Sequence, residues 1–207
     1  MSTVVVDYDA GNLRSVETAL RHLGVEFELT ADPAVVARAG RVVFPGVGDG
    51  AHAMRVLAAR GLDVAMRERF AAGTPILGIC VGCQIVLDMT EERNATCLGL
   101  IPGRAKRFPA ECGKVPHMGW NPVRYEEGHW LFAGVPQESS FYFVHSYYPA
   151  PERDSDVVAW SDYGFDFPAA IERDNLVATQ FHPEKSGEVG LRVLRNFLGG
   201  EPCSRNG

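Results

Sequence analysis

The sequence predicts an α/β domain with a mostly parallel central sheet, on three observations. In the first half, apolar β-branched runs alternate with segments of helical period, the pattern of parallel strands joined by crossover helices. The 207 residues, 46% hydrophobic and 22% charged, suit one large domain with a full core, and no repeat, low-complexity tract or linker divides 1–207. From about Leu98 onward the chain turns to short strands separated by Gly and Pro, so extra short antiparallel strands are expected in the C-terminal half.

Thr3 to Asp7 reads as a buried strand. Asn12 is placed to cap a helix in which Leu13, Val16, Leu20 and Leu23 recur at three- and four-residue spacing, with Gly24 as its stop. Val25 to Leu29 resumes as strand, a short helical stretch starts at Pro33, and Arg41 to Pro45 forms a third strand. The glycine-rich loop Gly46-Val47-Gly48 follows, then helical sequence through Ala72. Pro75 to Ile79 is the fourth strand, leading into a helical run from Val81 to Met89. Later strands are expected at Ile101 to Phe108, Phe141 to Tyr148, Val157 to Trp160 and Leu176 to Phe181. A last helix, Gly187 to Leu198, carries Val189, Val193, Leu194 and Phe197 on one face.

A formal charge of -6 and a pI near 5.5 argue against a broad electrostatic grip on nucleic acid or acidic membranes, which needs clustered Lys and Arg. The N-terminal apolar stretch is short and has no basic region before it, so no export signal is expected. The longest mostly apolar run, Pro75 to Leu87, falls short of the ~20 residues of a bilayer span. Five cysteines, Cys80, Cys83, Cys97, Cys112 and Cys203, are an odd number that suits reduced thiols in a cytoplasmic protein.

Gly78-Ile79-Cys80-Val81-Gly82 joins a buried strand to a helix and reads as a nucleophile elbow with Cys80 at its tip. Its position at a helix N-terminus favours a thiolate. The competing reading is a strand-end cysteine beside glycines that merely allow close packing. Six histidines compete as the base: His22, His52, His117, His129, His145 and His182. His182-Pro183-Glu184 has the best setting, because proline biases its predecessor to extended geometry and residues i and i+2 then share a side, which brings Glu184 to the imidazole. A strand-end turn with a solvated carboxylate is the alternative. Acyl transfer also needs donors for an oxyanion. The Val81 N-H is one, and a second comes from Val47 or Gly48 in Pro45-Gly46-Val47-Gly48, unless that loop is only a tight turn.

With these two motifs together the chain resembles the class I, triad-type glutamine amidotransferases. Five further segments resemble the glutaminase subunit family of imidazole glycerol phosphate synthase: Asp7-Tyr8-Asp9-Ala10-Gly11-Asn12, Pro45 to Gly48, Pro116-His117-Met118-Gly119-Trp120-Asn121, Tyr142 to Tyr147, and Gln180 to Ser186. The resemblance implies a single flavodoxin-like, doubly wound domain with Cys80 as nucleophile, His182 as base and Glu184 as orienter. It further implies glutamine contacts from Gly48, Gln84, Ser146 and Tyr147, and no metal or organic cofactor. Asn12, Trp120, Asn121, Tyr142 and Lys185 would face a partner, a (βα)8-barrel cyclase that receives ammonia in a heterodimer. Control is expected through the Pro45 to Gly48 loop, with one oxyanion donor turned away until the partner binds. Two residues depart from the family pattern: Asp9 stands where glycine is usual, and Cys83 where methionine is usual. Cys83 also admits a rival reading, a Cys-x-x-Cys dithiol of thioredoxin type. Further rivals are the glutaminase subunit of another amidotransferase and a catalytically silent partner subunit.

Overall fold

A computed structural model describes residues 2–9 and 11–199; Ala10 and Cys203 lie outside the described residues. The alternating half runs β1 (Thr3–Val6), α1 (Leu13–His22), β2 (Phe27–Thr30), α2 (Pro33–Val36), β3 (Arg41–Gly46), α3 (Gly50–Arg60), α4 (Leu62–Ala71), β4 (Ile76–Cys80) and α5 (Val81–Ile85). The second half runs β5 (Met89–Thr90), β6 (Ala95–Thr96), β7 (Gly103–Arg107), β8 (His117–Tyr125), β9 (Ser139–His145), β10 (Tyr147–Pro151), β11 (Val157–Asp162), β12 (Asp166–Arg173), β13 (Leu176–Thr179) and α6 (Gly187–Gly199).

A nine-stranded sheet has the order β2-β1-β3-β4-β13-β12-β11-β8-β9. Its first five strands pair in parallel, in the doubly wound order with β13 as the fifth strand. The remaining strands are antiparallel and extend the same sheet. Alternation along each strand splits the interior into two cores. Val4, Val6, Val42, Phe44 and Ile76 face α2, α3, α4 and α5, whereas Val5, Val43, Leu77 and Ile79 face α1 and α6. No helix among the described residues is long and apolar enough to cross a membrane.

Several elements differ from the sequence expectation for identifiable reasons. The helical stretch ending at Ala72 is two helices, because Gly61 (φ 70) closes α3 with left-handed backbone and opens α4. The helix after Cys80 stops at Ile85 rather than Met89, since the carbonyls of Ile85, Val86 and Leu87 accept from the 98–101 segment instead of continuing the helix. Phe141 to Tyr148 is not one strand but β9 and β10, broken at Ser146, and β10 leaves for a separate sheet of order β10-β7-β5-β6. The antiparallel strands expected to be short include the nine-residue β8, unforeseen because Gly119 and Pro122 interrupt its pattern, and β12, which contains Pro168. Asn12 occupies the N-cap position of α1, yet its side chain makes no capping bond.

His145, at the end of β9, is packed among Phe108, Phe143 and Phe167. Its Nδ1-H donates to the Tyr147 carbonyl at 2.8 Å, so Nε2 is left as the acceptor facing His117 Nδ1 at 2.9 Å. Burial pushes His145 down to about 3; the Tyr147 carbonyl opposes this and the charges of His117 and His182 reinforce it. The unfolded chain therefore binds this proton near pH 6.5 while the native chain does not, so the stability His145 leaves intact at neutral pH declines as pH falls from about 6.5 toward 3. By pH 5 the loss from this group reaches about 2 kcal/mol. His145→Asn, which keeps a donor for the carbonyl, should lower stability at pH 7.5, with the gap to the parent shrinking by about that amount at pH 5. Denaturant midpoints at the two pH values measure it, and a constant gap would contradict the assignment.

Candidate active site

The carboxyl ends of β1, β3, β4 and β13 converge, the edge at which open α/β sheets bind ligands. Every residue of β4 is buried, and the strand passes straight into α5 through Cys80, held at φ 55, ψ −105. L-residues avoid this conformation, and it persists only where the surroundings enforce it. The enforcement is steric. A Cβ on Gly82 would sit 2.0 Å from the Phe44 carbonyl oxygen, and one on Gly78 2.9 Å from Ala178 Cβ. The two glycines let β4 and α5 press against β3 and β13, and the crowding drives the Cys80 side chain out of the turn.

The Cys80 thiol points toward the Val144 carbonyl at 3.8 Å and receives the Gln180 amide Nε2 at 3.6 Å. Gln180 is in turn held by Gln84, whose Nε2 donates to Gln180 Oε1 at 3.0 Å and to the Tyr147 carbonyl at 2.8 Å. Sequence reasoning did not single out Gln180. Its available signal was a glutamine directly after an apolar strand and two residues before His182.

Beyond β13, His182 is fixed by its own N-H to the Tyr142 carbonyl at 2.9 Å. His182 is extended, as expected before proline (φ −96, ψ 94), but the chain then enters a 3-10 turn, Pro183–Lys185, and that turn folds Glu184 back onto the imidazole. His182 Nδ1 lies 2.7 Å from Glu184 Oε1, with both side chains fully buried. The half-buried Asn12 adds its amide: Nδ2 donates to the same oxygen at 2.5 Å and lies 3.3 Å from His182 Nδ1. Burial pulls the His182 pKa down, but the negative charges of Cys80 and Glu184, with the hydrogen bond to Glu184, outweigh it and raise the value, although Nε2 itself has no hydrogen-bond partner within reach. Nδ1-H is thus held by Glu184, which leaves the unpartnered Nε2 as the ring nitrogen available for chemistry with Cys80.

The loop after β3 runs beside this pair. Gly46 is in register with Cys80 across the sheet, Gly48 has φ 97, and Val47 Cγ2 lies 3.0 Å from the point where Gly11 would carry a Cβ. The Val81 N-H begins α5 next to the thiol. Ser146 and Tyr147 sit half-buried at the break between β9 and β10. Glu92, in a 3-10 turn after β5, accepts from the Gly50 N-H at 2.6 Å, and its charge reaches Tyr147. Burial raises its pKa, against the Gly50 hydrogen bond. No motif marks Glu92 in the sequence.

Trp120, Tyr142 and Lys185 come together at the mouth. Trp120 is 56% exposed, its ring 6.0 Å from Tyr142, and Lys185 Nζ lies 5.7 Å over the Tyr142 ring. Asn121 points to the other face of β8, where its amide joins His117 Nε2 at 2.9 Å and the Asp162 carbonyl at 2.8 Å. Asp9 has φ 62, a conformation that glycine adopts freely and Asp tolerates, and its carboxylate pairs with Arg60. Cys83 is fully buried in the apolar core; burial, reinforced by the Cys80 charge, pushes its thiol well up. A thiol so held has neither the access nor the thiolate character of a resolving cysteine.

Comparison with known proteins identifies the family. Residues 4–199 match the model of the family described as glutamine amidotransferase class-I. The chain is 50% identical over 200 residues to the imidazole glycerol phosphate synthase subunit HisH of Nitratidesulfovibrio vulgaris (strain DSM 19637 / Miyazaki F), covering 93% of this chain and 94% of that one. It is 50% identical over 214 residues to the subunit of the same name from Methylococcus capsulatus, covering 98% of each. Among solved structures, PurLQS from Thermotoga maritima superposes with a TM-score of 0.76 at 20% identity, covering 95% of this chain and 97% of that one. A second solved structure, described as a glutamine amidotransferase, gives 0.72 at 21% identity, covering 94% of this chain and 96% of that one. These two likenesses bear on the fold, whereas the half-identical relatives and the family match cover nearly the whole chain. The chain belongs to the class-I glutamine amidotransferase family, among its imidazole glycerol phosphate synthase HisH subunits.

Proposed function

We propose that residues 1–207 act as one amidotransferase domain that hydrolyses L-glutamine to glutamate and ammonia at Cys80, His182 and Glu184. The ammonia passes to the cyclase subunit of imidazole glycerol phosphate synthase, which makes imidazole glycerol phosphate and aminoimidazole carboxamide ribotide in histidine biosynthesis. The observation that carries the reading is the convergence of an elbow cysteine, a histidine electrostatically coupled to it with Nε2 unpartnered, and a buried carboxylate 2.7 Å from Nδ1, in a chain half identical to HisH subunits. Cytoplasmic action in a heterodimer with a (βα)8 barrel completes the proposal.

In the cycle, Cys80 passes its thiol proton to His182 Nε2 as Sγ adds to the side-chain carbonyl carbon of glutamine. The C-N bond breaks as His182 Nε2 gives its proton to the leaving nitrogen, and ammonia departs from a γ-glutamyl thioester. Water then loses a proton to Nε2 and adds to the thioester carbon, and the C-S bond breaks to free glutamate as Nε2 returns that proton to Sγ. Glu184 keeps Nδ1 protonated throughout, which fixes the tautomer that aims Nε2 at the reaction. The N-H groups of Val81 and of Val47 or Gly48 serve the oxyanion. Gly48, Gln84, Ser146 and Tyr147 surround the substrate, and the Glu92 carboxylate, beside Tyr147 and Gly50, suits its α-ammonium. The partner reading is supported by the apolar strip at the site mouth, where Met118 and Trp120 are exposed on β8 and Val144 and Tyr142 pair with them on β9.

Cys80→Ala should abolish glutamine-dependent synthesis by the assembled pair and leave synthesis from added ammonia intact; equal loss of both would refute the division of labour. Asn12→Ala removes a donor from a buried carboxylate, an interaction typically of about 1.5–3 kcal/mol, so kcat should fall at least tenfold with KM little changed. Steady-state glutamine kinetics decide this, and Asn12→Asp should be worse still by placing a second anion on Glu184. Trp120→Ala should weaken assembly by more than about 2 kcal/mol, or roughly 30-fold in Kd, while the melting temperature of the chain alone barely moves. Titration calorimetry and a thermal melt test the two halves; an early-melting chain with normal affinity would refute the partner-facing role of Trp120.

A further inference from the structure

Tyr8 is a buried polar side chain beside the reaction centre for which the mechanism above has no use. It is 1% exposed, its ring packs on Phe44 at 5.1 Å, and its hydroxyl has no hydrogen-bond partner. A buried phenol O-H without an acceptor is unfavourable, and phenylalanine would fill the same space without that penalty. The position of the hydroxyl gives it a purpose. It lies 2.0 Å from where a Cβ of residue 46 would stand, and Val81 Cβ is 3.1 Å from that same point. The oxygen therefore occupies the notch between the end of β3 and the first residue of α5, the two backbone segments that supply oxyanion donors. From the same loop, Gly11 passes so close to Val47 that a Cβ on it would stand 3.0 Å from Val47 Cγ2. Burial first, then the negative charge of Cys80, raises the Tyr8 pKa far above the ordinary phenol value, so the group stays a neutral donor.

We infer that Tyr8 is a positioning residue for the oxyanion loop: its O-H donates to the Gly46 carbonyl when the Gly46-Val47 peptide turns its N-H toward Cys80. A trans peptide points its C=O and N-H in opposite directions, so a carbonyl held from the buried side presents the N-H to the pocket. Gly46 is required for this approach, since any side chain there would displace the hydroxyl. The unpartnered O-H biases the loop toward the turned form, because only there does it gain an acceptor. The inference deepens the glutaminase reading and rests on it.

The test is Tyr8→Phe in the full chain, measured with the cyclase subunit present and saturating glutamine. The kcat should fall about fivefold, equivalent to ~1 kcal/mol for one net hydrogen bond, with KM within twofold. The melting temperature should stay equal or rise, since an unsatisfied hydroxyl is gone. Alkylation of Cys80 by iodoacetamide should keep its rate, because that displacement develops no oxyanion. A purely structural Tyr8 gives an unchanged kcat, or a loss that follows the melting temperature, and either overturns the inference. A rise in kcat also overturns it, by showing that the hydroxyl holds the resting loop. Failure of the parent reading is separate and visible elsewhere: it is glutamine hydrolysis that survives Cys80→Ala, or is absent from the unsubstituted pair.

Discussion

The backbone of Cys80 is held where an L-residue resists being, and the site is arranged around that constraint. Left-handed φ at the strand end turns the chain within one residue, so the thiol leaves the sheet while β4 and α5 remain packed. The turn exists because position 82 lies against the Phe44 carbonyl and position 78 against Ala178, and neither has space for a methyl group. The strain, typically about 1–3 kcal/mol, is balanced by the core on both faces of the sheet. Since Gly46 is paired with Cys80 in the sheet, the same constraint sets the distance from sulfur to the oxyanion loop. The proposed nucleophile and the proposed oxyanion donors are thus positioned by one piece of packing.

Electrostatics then separates two buried histidines that share this packing. His145 and His182 both lose water, which disfavours their cations, yet their pKa values move in opposite directions. His145 meets a carbonyl and another imidazole, neutral groups that fix a tautomer without supporting a charge. His182 meets a carboxylate on Nδ1 and lies in the field of the Cys80 sulfur, and their negative charge exceeds the penalty of burial. The amide of Asn12 supports the carboxylate that does this. Proton traffic is thereby confined to one ring although another lies nearby.

The parallel half of the fold was legible because its information is local. Buried strands such as Arg41–Gly46 are apolar on both faces, and Gly24 marks a helix end whatever surrounds it. The antiparallel extension was less legible, because β8 and β12 carry prolines and charges that only pairing with neighbours accommodates. At the site, the elbow and the His-Pro-Glu turn could be read as motifs, although the turn works by a 3-10 fold rather than by extension. Gln180, Glu92, Tyr8 and the inward amide of Asn12 could not be read, since each has meaning only through a contact distant in sequence, as with Asn12 and Glu184. Asp9 shows the converse: a departure that looked arbitrary sits at a left-handed position and is tied to Arg60.

The strip of Met118 and Trp120 has a consequence outside catalysis. These side chains, 63% and 56% exposed beside the half-buried Tyr142, stay in water for as long as the chain is alone. A surplus of this subunit over its partner is therefore a colloidal burden, with adhesive rings available to any other exposed apolar surface. Under the proposed pairing, matched synthesis of the two subunits keeps that surface covered, so the stoichiometry of expression bears on protein quality control as well as on ammonia supply.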